Sequence, residues 1–246
     1  MIWIVLPAYN EENSLPALVE RMRAMFAESN LHGEVILVND GSTDGTLEIA
    51  GSFASILALR VINLQPNRGL ATALKAGLVS ALERAQVDDT IVTMDADNSH
   101  PPSLIPAMVR LIDSGSDVVI ASRYRTGSRV TGVPRLRRVM SLGASALFRL
   151  LLPIPGVRDY TCGFRAYRAG LLMQAFTLYS GSLIQQKGFG CTSELLMKLR
   201  RLDPRISEIP LTLNYNLSNR VSKMKVWRTV KETLGMIGRH TLRREL

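Results

Sequence analysis

Cysteine is nearly missing from this 246-residue chain: only Cys162 and Cys191 occur. A disulfide-stapled miniprotein is excluded, and such low usage either suits a reducing compartment or carries no information on it. Aromatic residues are also scarce, at 6%, which argues against a surface that stacks nucleic-acid bases. There is no Gly-x-Gly-x-x-Gly and no Gly-x-x-x-x-Gly-Lys-Ser/Thr, so dehydrogenase and P-loop ATPase chemistry lack their phosphate-binding loops. Long hydrophobic runs are absent as well. The longest uncharged stretch, Ala169 to Gln186, is 18 residues long but carries Gln174, Ser180, Ser182, Gln185 and Gln186. It is too polar to span the ~30 Å of bilayer hydrocarbon. Met1 to Ala8 is apolar but has no basic flank and runs straight into Asn10-Glu11-Glu12, so it does not read as a signal peptide.

What is present is a globular composition: 46% hydrophobic and 21% charged residues, enough for a sizeable core. No repeat, low-complexity tract or linker divides the chain, which reads as one domain. Its charge is unevenly placed. Residues 1–117 hold 7 Lys/Arg against 15 Asp/Glu, whereas residues 118–246 hold 23 against 6. Between Val118 and Arg158 there are eight arginines and no acid. The second half therefore suits an anionic partner: phosphate, nucleic acid or acidic lipid.

Apolar runs rich in β-branched residues predict strands at Ile2–Leu6, Glu34–Val38, Leu59–Leu64, Thr90–Met94 and Asp117–Ala121. Helical spacing predicts helices from Leu15, from Thr46, over Leu70–Leu82 and over Leu104–Ile112, with Asn13-Ser14 offering capping side chains to the first. Strands separated by helices mean a mostly parallel α/β sheet, whose ligands bind beyond the carboxyl ends of the strands. The second half predicts helices over Met140–Leu152 and Ser193–Leu202, strands over Gly163–Tyr167 and Ile209–Tyr215, and a basic amphipathic C-terminal helix over 226–246. Arg135, Arg137 and Arg138 precede the Met140–Leu152 helix, which fits either the core or an anionic lipid surface.

Each strand of the first half ends in polar residues, and Asp95-Ala96-Asp97 is the sharpest of these ends. Two carboxylates one residue apart, just where pairing stops, can share a hard divalent cation with a diphosphate; the bland alternative is a solvated turn. Asp40 ends the second strand inside Asn39-Asp40-Gly41-Ser42-Thr43-Asp44-Gly45. Its carboxylate can accept ribose or base hydrogens, or simply make a turn. His32, His100 and His240 have no metal-ligand spacing.

Together the segments Pro7-Ala8-Tyr9-Asn10-Glu11-Glu12, Asn39 to Thr46, Asn67-Arg68-Gly69, Asp95-Ala96-Asp97 and Ser122-Arg123-Tyr124 resemble glycosyltransferase family 2. Asp97-Asn98-Ser99-His100-Pro101, Asp159-Tyr160-Thr161-Cys162-Gly163-Phe164-Arg165 and Arg220-Val221-Ser222-Lys223-Met224 resemble its dolichol-phosphate (polyprenol-phosphate) mannosyltransferase branch. The resemblance implies a GT-A, Rossmann-like single domain over 1–225. It also implies an inverting transfer of a hexose, mannose foremost, from a nucleotide-diphosphate sugar such as GDP-mannose to a polyprenyl or dolichyl phosphate. Pro7, Ala8, Tyr9, Glu11 and Asp40 match nucleotide-binding positions. Asp95 and Asp97 match Mg²⁺ or Mn²⁺ and diphosphate positions. Ser99 falls where the family often has Gln as a further ligand. Arg123 and Arg137 or Arg138 match arginines near donor and acceptor phosphate, and Arg220 and Lys223 match a basic pair over the phosphates. Val221 stands where the family has Glu. Asp97, Arg123 and Lys223 are the expected catalytic groups.

A lipid phosphate is already anionic near neutrality because its second pKa is about 6. It needs cations rather than a general base, and arginine suits that role. No Gln-x-x-Arg-Trp of the processive synthases occurs. Peripheral contact with the cytoplasmic face of a membrane, alone or through a membrane subunit, completes the expectation. The alternatives are a family 2 enzyme using UDP-glucose or another acceptor, or a basic nucleic-acid- or membrane-binding module without catalysis.

Overall fold

The computed structural model describes residues 1–53, 56–132, 135–151, 153–186, 188 and 190–214, without the side chains of 135–141, 144 and 214. Arg220, Lys223, Val221 and the expected 226–246 helix lie outside the described residues, as do the side chains of Arg137 and Arg138.

The first half follows its hydrophobic pattern. β1 (Ile2–Ala8), β2 (Gly33–Asp40) and β3 (Leu59–Leu64) pair in parallel, and β4 (Thr90–Thr93) joins β1 on its other side, Val5 facing Thr93. Ile4, Val5 and Leu6 are fully buried; burial of such side chains contributes about 1.5–3 kcal/mol each. α1 (Leu15–Ser29) turns Leu15, Leu18, Val19, Met22 and Met25 into the core. Its predicted cap fails: Ser14 makes no side-chain cap bond and sits in helical conformation. Instead its backbone N–H donates to the Glu11 carbonyl, 3.0 Å.

α2 (Thr46–Ser52) and α3 (Leu70–Leu82) follow. α3 reaches the sheet so closely at Gly77 that an added Cβ would lie 2.3 Å from Val5 Cγ1 and 3.1 Å from Val38 Cγ2. Gly77→Ala is therefore expected to lower stability by about 1–3 kcal/mol through overpacking, although alanine favours helices; a thermal melt checks it.

A 3-10 turn at Pro102–Leu104 leads into α4 (Ile105–Asp113), and β5 (Val118–Ser122) follows. The 17-residue α5 (Arg135–Leu151) begins earlier than the predicted Met140; Arg and Leu are strong helix formers, so the basic run continues the helix. α5 is core and surface at once. Phe148 is buried and stacks on Tyr160 at 5.3 Å between centroids, while Leu142, Leu150 and Leu151 face solvent.

The main departure from a parallel sheet is β7 (Arg165–Arg168), which inserts antiparallel between β4 and β5. The seven-stranded order is β3-β2-β1-β4-β7-β5-β8, with β8 at Ile206–Pro210 on the edge. The predicted strand Ile209–Tyr215 is broken at Leu211: β9 (Thr212–Asn214) leaves the main sheet to pair with β6 (Arg129–Thr131). α6 (Ala169–Tyr179), which the sequence pattern did not predict, and α7 (Gly190–Leu199) are the remaining described α-helices. No helix among the described residues is long and apolar enough to cross a membrane.

Candidate active site

The connections from β1 and from β4 leave the sheet in opposite directions, so a crevice opens beyond their carboxyl ends. Because β7 runs antiparallel, its entry segment Asp159–Gly163 arrives at that same rim. An added Cβ on Gly163 would lie 3.8 Å from Asp95 Oδ1 and 3.6 Å from Thr192 Cγ2.

On the β1–β2 side the two loops lock together. Asn10, in left-handed conformation at φ 55°, donates its N–H to Ser42 Oγ (2.8 Å), and its Oδ1 accepts the Thr43 N–H (2.8 Å). The N–H of Glu11 donates to Thr46 Oγ1 (2.6 Å), and Glu12 Oε2 accepts the Gly45 N–H (2.8 Å). Pro7 and Tyr9 remain half-buried at this edge, with Ala8 and Glu11 buried beneath them.

Asp40 is committed to the neighbouring backbone. It is buried, its Oδ1 accepts the Arg68 N–H and its Oδ2 the Gly69 N–H, both at 2.8 Å. It thereby clamps the Asn67–Gly69 loop, and any nucleotide contact must use its remaining lone pairs. Gly41 permits the approach: its φ is +66°, and a Cβ would sit 2.5 Å from the Asn67 nitrogen.

The acid pair stands past β4. Asp95 is 46% exposed at its side chain, Asp97 is half-buried, and Asp97 Oδ1 accepts the Ser99 N–H at 3.0 Å. Ser99 itself is buried, and its Oγ has no hydrogen-bond partner. An orphaned hydroxyl on the residue whose N–H binds Asp97, together with the two carboxylates, is an all-oxygen donor set of the kind that fits a hard cation such as Mg²⁺ or Mn²⁺. Among the described residues no cluster of three His, Cys, Asp or Glu side chains forms a metal site, so substrate oxygens would have to complete the coordination.

His100, which the sequence left without a role, lies buried against the pair. It stacks on Phe164 at 5.1 Å, and its Nδ1 accepts the Asp95 N–H at 3.2 Å. Burial disfavours its charged form, but Asp95, followed by Cys162 and Asp97, pushes its pKa up to about 9. The accepting Nδ1 requires the neutral ring, whereas the carboxylate charge favours imidazolium; a cation on the two acids would remove that conflict.

Arg123 follows β5. Its guanidinium is held by Asp159: Nε to Oδ2 at 2.8 Å and Nη2 to Oδ1 at 2.6 Å, with Nη2 also donating to Thr161 Oγ1 at 2.6 Å. Asp159 is fully buried and further accepts the backbone N–H groups of Arg123, Thr161 and Cys162. Glu208 on β8 holds that segment in turn, its Oε1 accepting the N–H of Arg158 (2.7 Å) and Asp159 (2.8 Å). Arg123 thus reaches the rim as a preorganised, largely neutralised cation rather than a loose one. The sequence carried a signal for this pair: Asp159 is the first acid after eight arginines. Glu208 left no such trace.

The family model described as glycosyl transferase family 2 matches residues 3–176. The chain is 35% identical over 209 residues to an undecaprenyl-phosphate mannosyltransferase of Micrococcus luteus, covering 85% of this chain and 81% of that protein. It is 33% identical over 215 residues to a polyprenol monophosphomannose synthase of Mycolicibacterium smegmatis, covering 85% and 76%. A dolichol-phosphate mannosyltransferase of Pyrococcus furiosus is 33% identical over 210 residues, and the chain spans only 55% of that longer protein.

Among solved structures, glucosyl-3-phosphoglycerate synthase from Mycobacterium tuberculosis in complex with Mg²⁺ and uridine diphosphate gives a TM-score of 0.67 at 22% identity, over 97% of this chain and 79% of that one. S. aureus TarS 1-349 in complex with UDP gives 0.60 at 20%, over 100% and 66%. These likenesses bear out the GT-A architecture. The family model and the mannosyltransferase relatives agree with it: the chain belongs to glycosyltransferase family 2.

Proposed function

We propose that this protein is an inverting, metal-dependent mannosyltransferase that moves mannose from a nucleotide-diphosphate sugar, GDP-mannose foremost, to a polyprenyl phosphate. The single observation that carries the reading is the Asp95/Asp97 pair with the orphaned Ser99 hydroxyl, set at the same rim as the segment that pins Arg123. The named relatives act on polyprenol, undecaprenyl or dolichol phosphates, which supports the acceptor class.

Pro7, Ala8, Tyr9, Glu11 and Asp40 hold the nucleotide in this reading. Asp95, Asp97 and Ser99 would hold Mg²⁺ or Mn²⁺, which neutralises charge on the departing diphosphate. Arg123, Arg137 and Arg138 receive the acceptor phosphate, and Arg220 and Lys223 close over the phosphates. A lipid phosphate oxygen attacks the anomeric carbon from the face opposite the nucleotide, the bond to the diphosphate oxygen breaks, and the configuration inverts. No proton has to be removed from such a nucleophile. That agrees with the state of two buried carboxylates. Asp159 is committed to Arg123, and Glu194 to Lys198 and the N–H groups of Gln185 and Gln186.

The test is incubation with a panel of nucleotide sugars, polyprenyl phosphate and Mg²⁺ or Mn²⁺, followed by mass spectrometry of the extracted lipid. A mannosyl phospholipid formed from GDP-mannose is expected. Transfer only from UDP-glucose, or only to a hydroxyl, overturns the donor or the acceptor.

The lipid also implies contact with the cytoplasmic face of a membrane, directly or through a membrane subunit. α5 supplies a face for it, with Leu142, Leu150 and Leu151 exposed beside Arg149. The protein is expected to float with anionic liposomes at low salt and to be released as salt screens its charges. Failure to float even at low salt would retire direct contact.

A further inference from the structure

Arg21 belongs to none of the segments that build the rim. It projects from α1, and its Nη1 donates two hydrogen bonds to one residue of the acid loop: the Asn98 carbonyl at 3.0 Å and the Asn98 Oδ1 at 2.6 Å. Among the described residues no carboxylate lies within ion-pair distance of this guanidinium. Its charge is directed instead at a single asparagine. That asparagine is the residue between Asp97 and Ser99, and it is 6% exposed and held at φ +61°. A left-handed conformation is uncommon for residues other than glycine, and it persists where the surroundings fix it.

The loop is thus held from two directions. Within it, Asp97 Oδ1 accepts the Ser99 N–H. From outside, Arg21 grips both the backbone and the side chain of the residue between them. These bonds leave Asp97 Oδ2 and the Ser99 hydroxyl unused. Two acceptors on one residue, met by the two hydrogens of one nitrogen, fix orientation as well as distance. Without Arg21, Asn98 loses the contact that opposes its return to ordinary backbone angles. Asp97 and Ser99 then lose their fixed placement relative to Asp95. Asp95 has its own anchor, the bond from its N–H to His100, so the effect falls on one side of the ion.

We infer that Arg21 is a positioning residue for the metal site, acting through Asn98 to hold Asp97 and Ser99 where they share an ion with Asp95. The inference rests on the metal reading given above. Groups that orient ligands from outside the coordination sphere typically alter metal affinity about 10- to 100-fold when removed. Arg21→Met keeps the aliphatic stem and removes both donors. Its effect should appear in metal binding, because Arg21 touches no part of the expected nucleotide or acceptor path.

The decisive experiment is Mn²⁺ titration of the whole chain followed by electron paramagnetic resonance of the free ion, with GDP present, for the wild type, Asp97→Ala, Arg21→Met and Arg21→Lys. Melting temperatures and the Mn²⁺ dependence of transfer are measured alongside. Arg21→Met is expected to weaken Mn²⁺ about tenfold and to raise the Mn²⁺ needed for half-maximal transfer by the same factor, with kcat at saturating Mn²⁺ retained. Arg21→Lys, with its charge but a shorter reach, falls between the two. If Arg21→Met does not fold, Arg21→Lys carries the test against the same criterion. A lower melting temperature with unchanged Mn²⁺ affinity would mean that Arg21 only braces α1, and the inference fails. If the wild type binds no Mn²⁺, or Asp97→Ala binds it equally well, the metal reading itself is wrong.

Discussion

Asp97→Ala is expected to cut sugar transfer by about 10²–10³-fold while leaving the protein folded. The two halves of that expectation come from different facts. Asp97 is half-buried, and its bond inside the loop is the one it accepts from the Ser99 N–H, so its loss should cost about 1 kcal/mol of stability. In the proposed reaction its carboxylate would stand with Asp95 to hold a divalent ion that offsets charge on the leaving diphosphate. Alanine leaves one carboxylate and an orphaned hydroxyl, too few oxygens to retain that ion at ordinary concentrations. Turnover measured across a Mn²⁺ series, with circular dichroism to confirm folding, checks both parts. Normal turnover would remove the metal from Asp97 altogether.

Asp159→Ala should act in the opposite way, on stability first. It removes a fully buried carboxylate that holds both ends of the Arg123 fork and three backbone N–H groups. Breaking one partner out of such a pair typically costs about 3–5 kcal/mol, because the remaining charge is left uncompensated. Activity should fall too, since Arg123 loses its orientation. Acid supplies a second reading. Burial alone would raise the Asp159 pKa, but the Arg123 charge and its hydrogen bonds hold it below the usual carboxylate value. A carboxyl whose folded pKa lies below its unfolded one stabilises the protein fully above the unfolded value, about 3.9. That stabilisation is lost as pH falls through the folded value. The wild type should therefore lose melting temperature below about pH 4, and Asp159→Asn should lose less over the same interval. Equal slopes would contradict the assignment.

The parts of this molecule that were legible in its sequence share a physical cause. β1 to β5 are short apolar runs ending in polar residues, and each pattern is local, so a strand and the rim it points to can be read together. Asp95 and Asp97 were visible for the same reason. What was hidden depends on partners far along the chain. The antiparallel course of β7 leaves no mark on Arg165-Ala166-Tyr167-Arg168, because a strand buried on both faces looks the same in either direction. The break at Leu211 separates β8 from β9 only because β6 offers a second place to pair. Asp40 read as a ligand for the nucleotide, yet most of its visible work is on the backbone of Arg68 and Gly69. Asn98 stood inside a legible motif, but Arg21 gave no signal at all, since an arginine on an amphipathic helix reads as solvated charge until the loop it grips is in place.

The placement of Glu208 has a consequence for biosynthesis. Ribosomes deliver the amino end first, and strands β1 to β4 with their crossing helices can assemble as soon as they emerge. The segment presenting Arg123 cannot follow so early. Asp159 must first be seated, and the backbone donors of its loop are gripped by a carboxylate fifty positions downstream. A nascent polypeptide halted before that position would carry β1 to β4 and no trained guanidinium. The fixed setting of Arg123 is thus among the last features of the described fold to be acquired during synthesis.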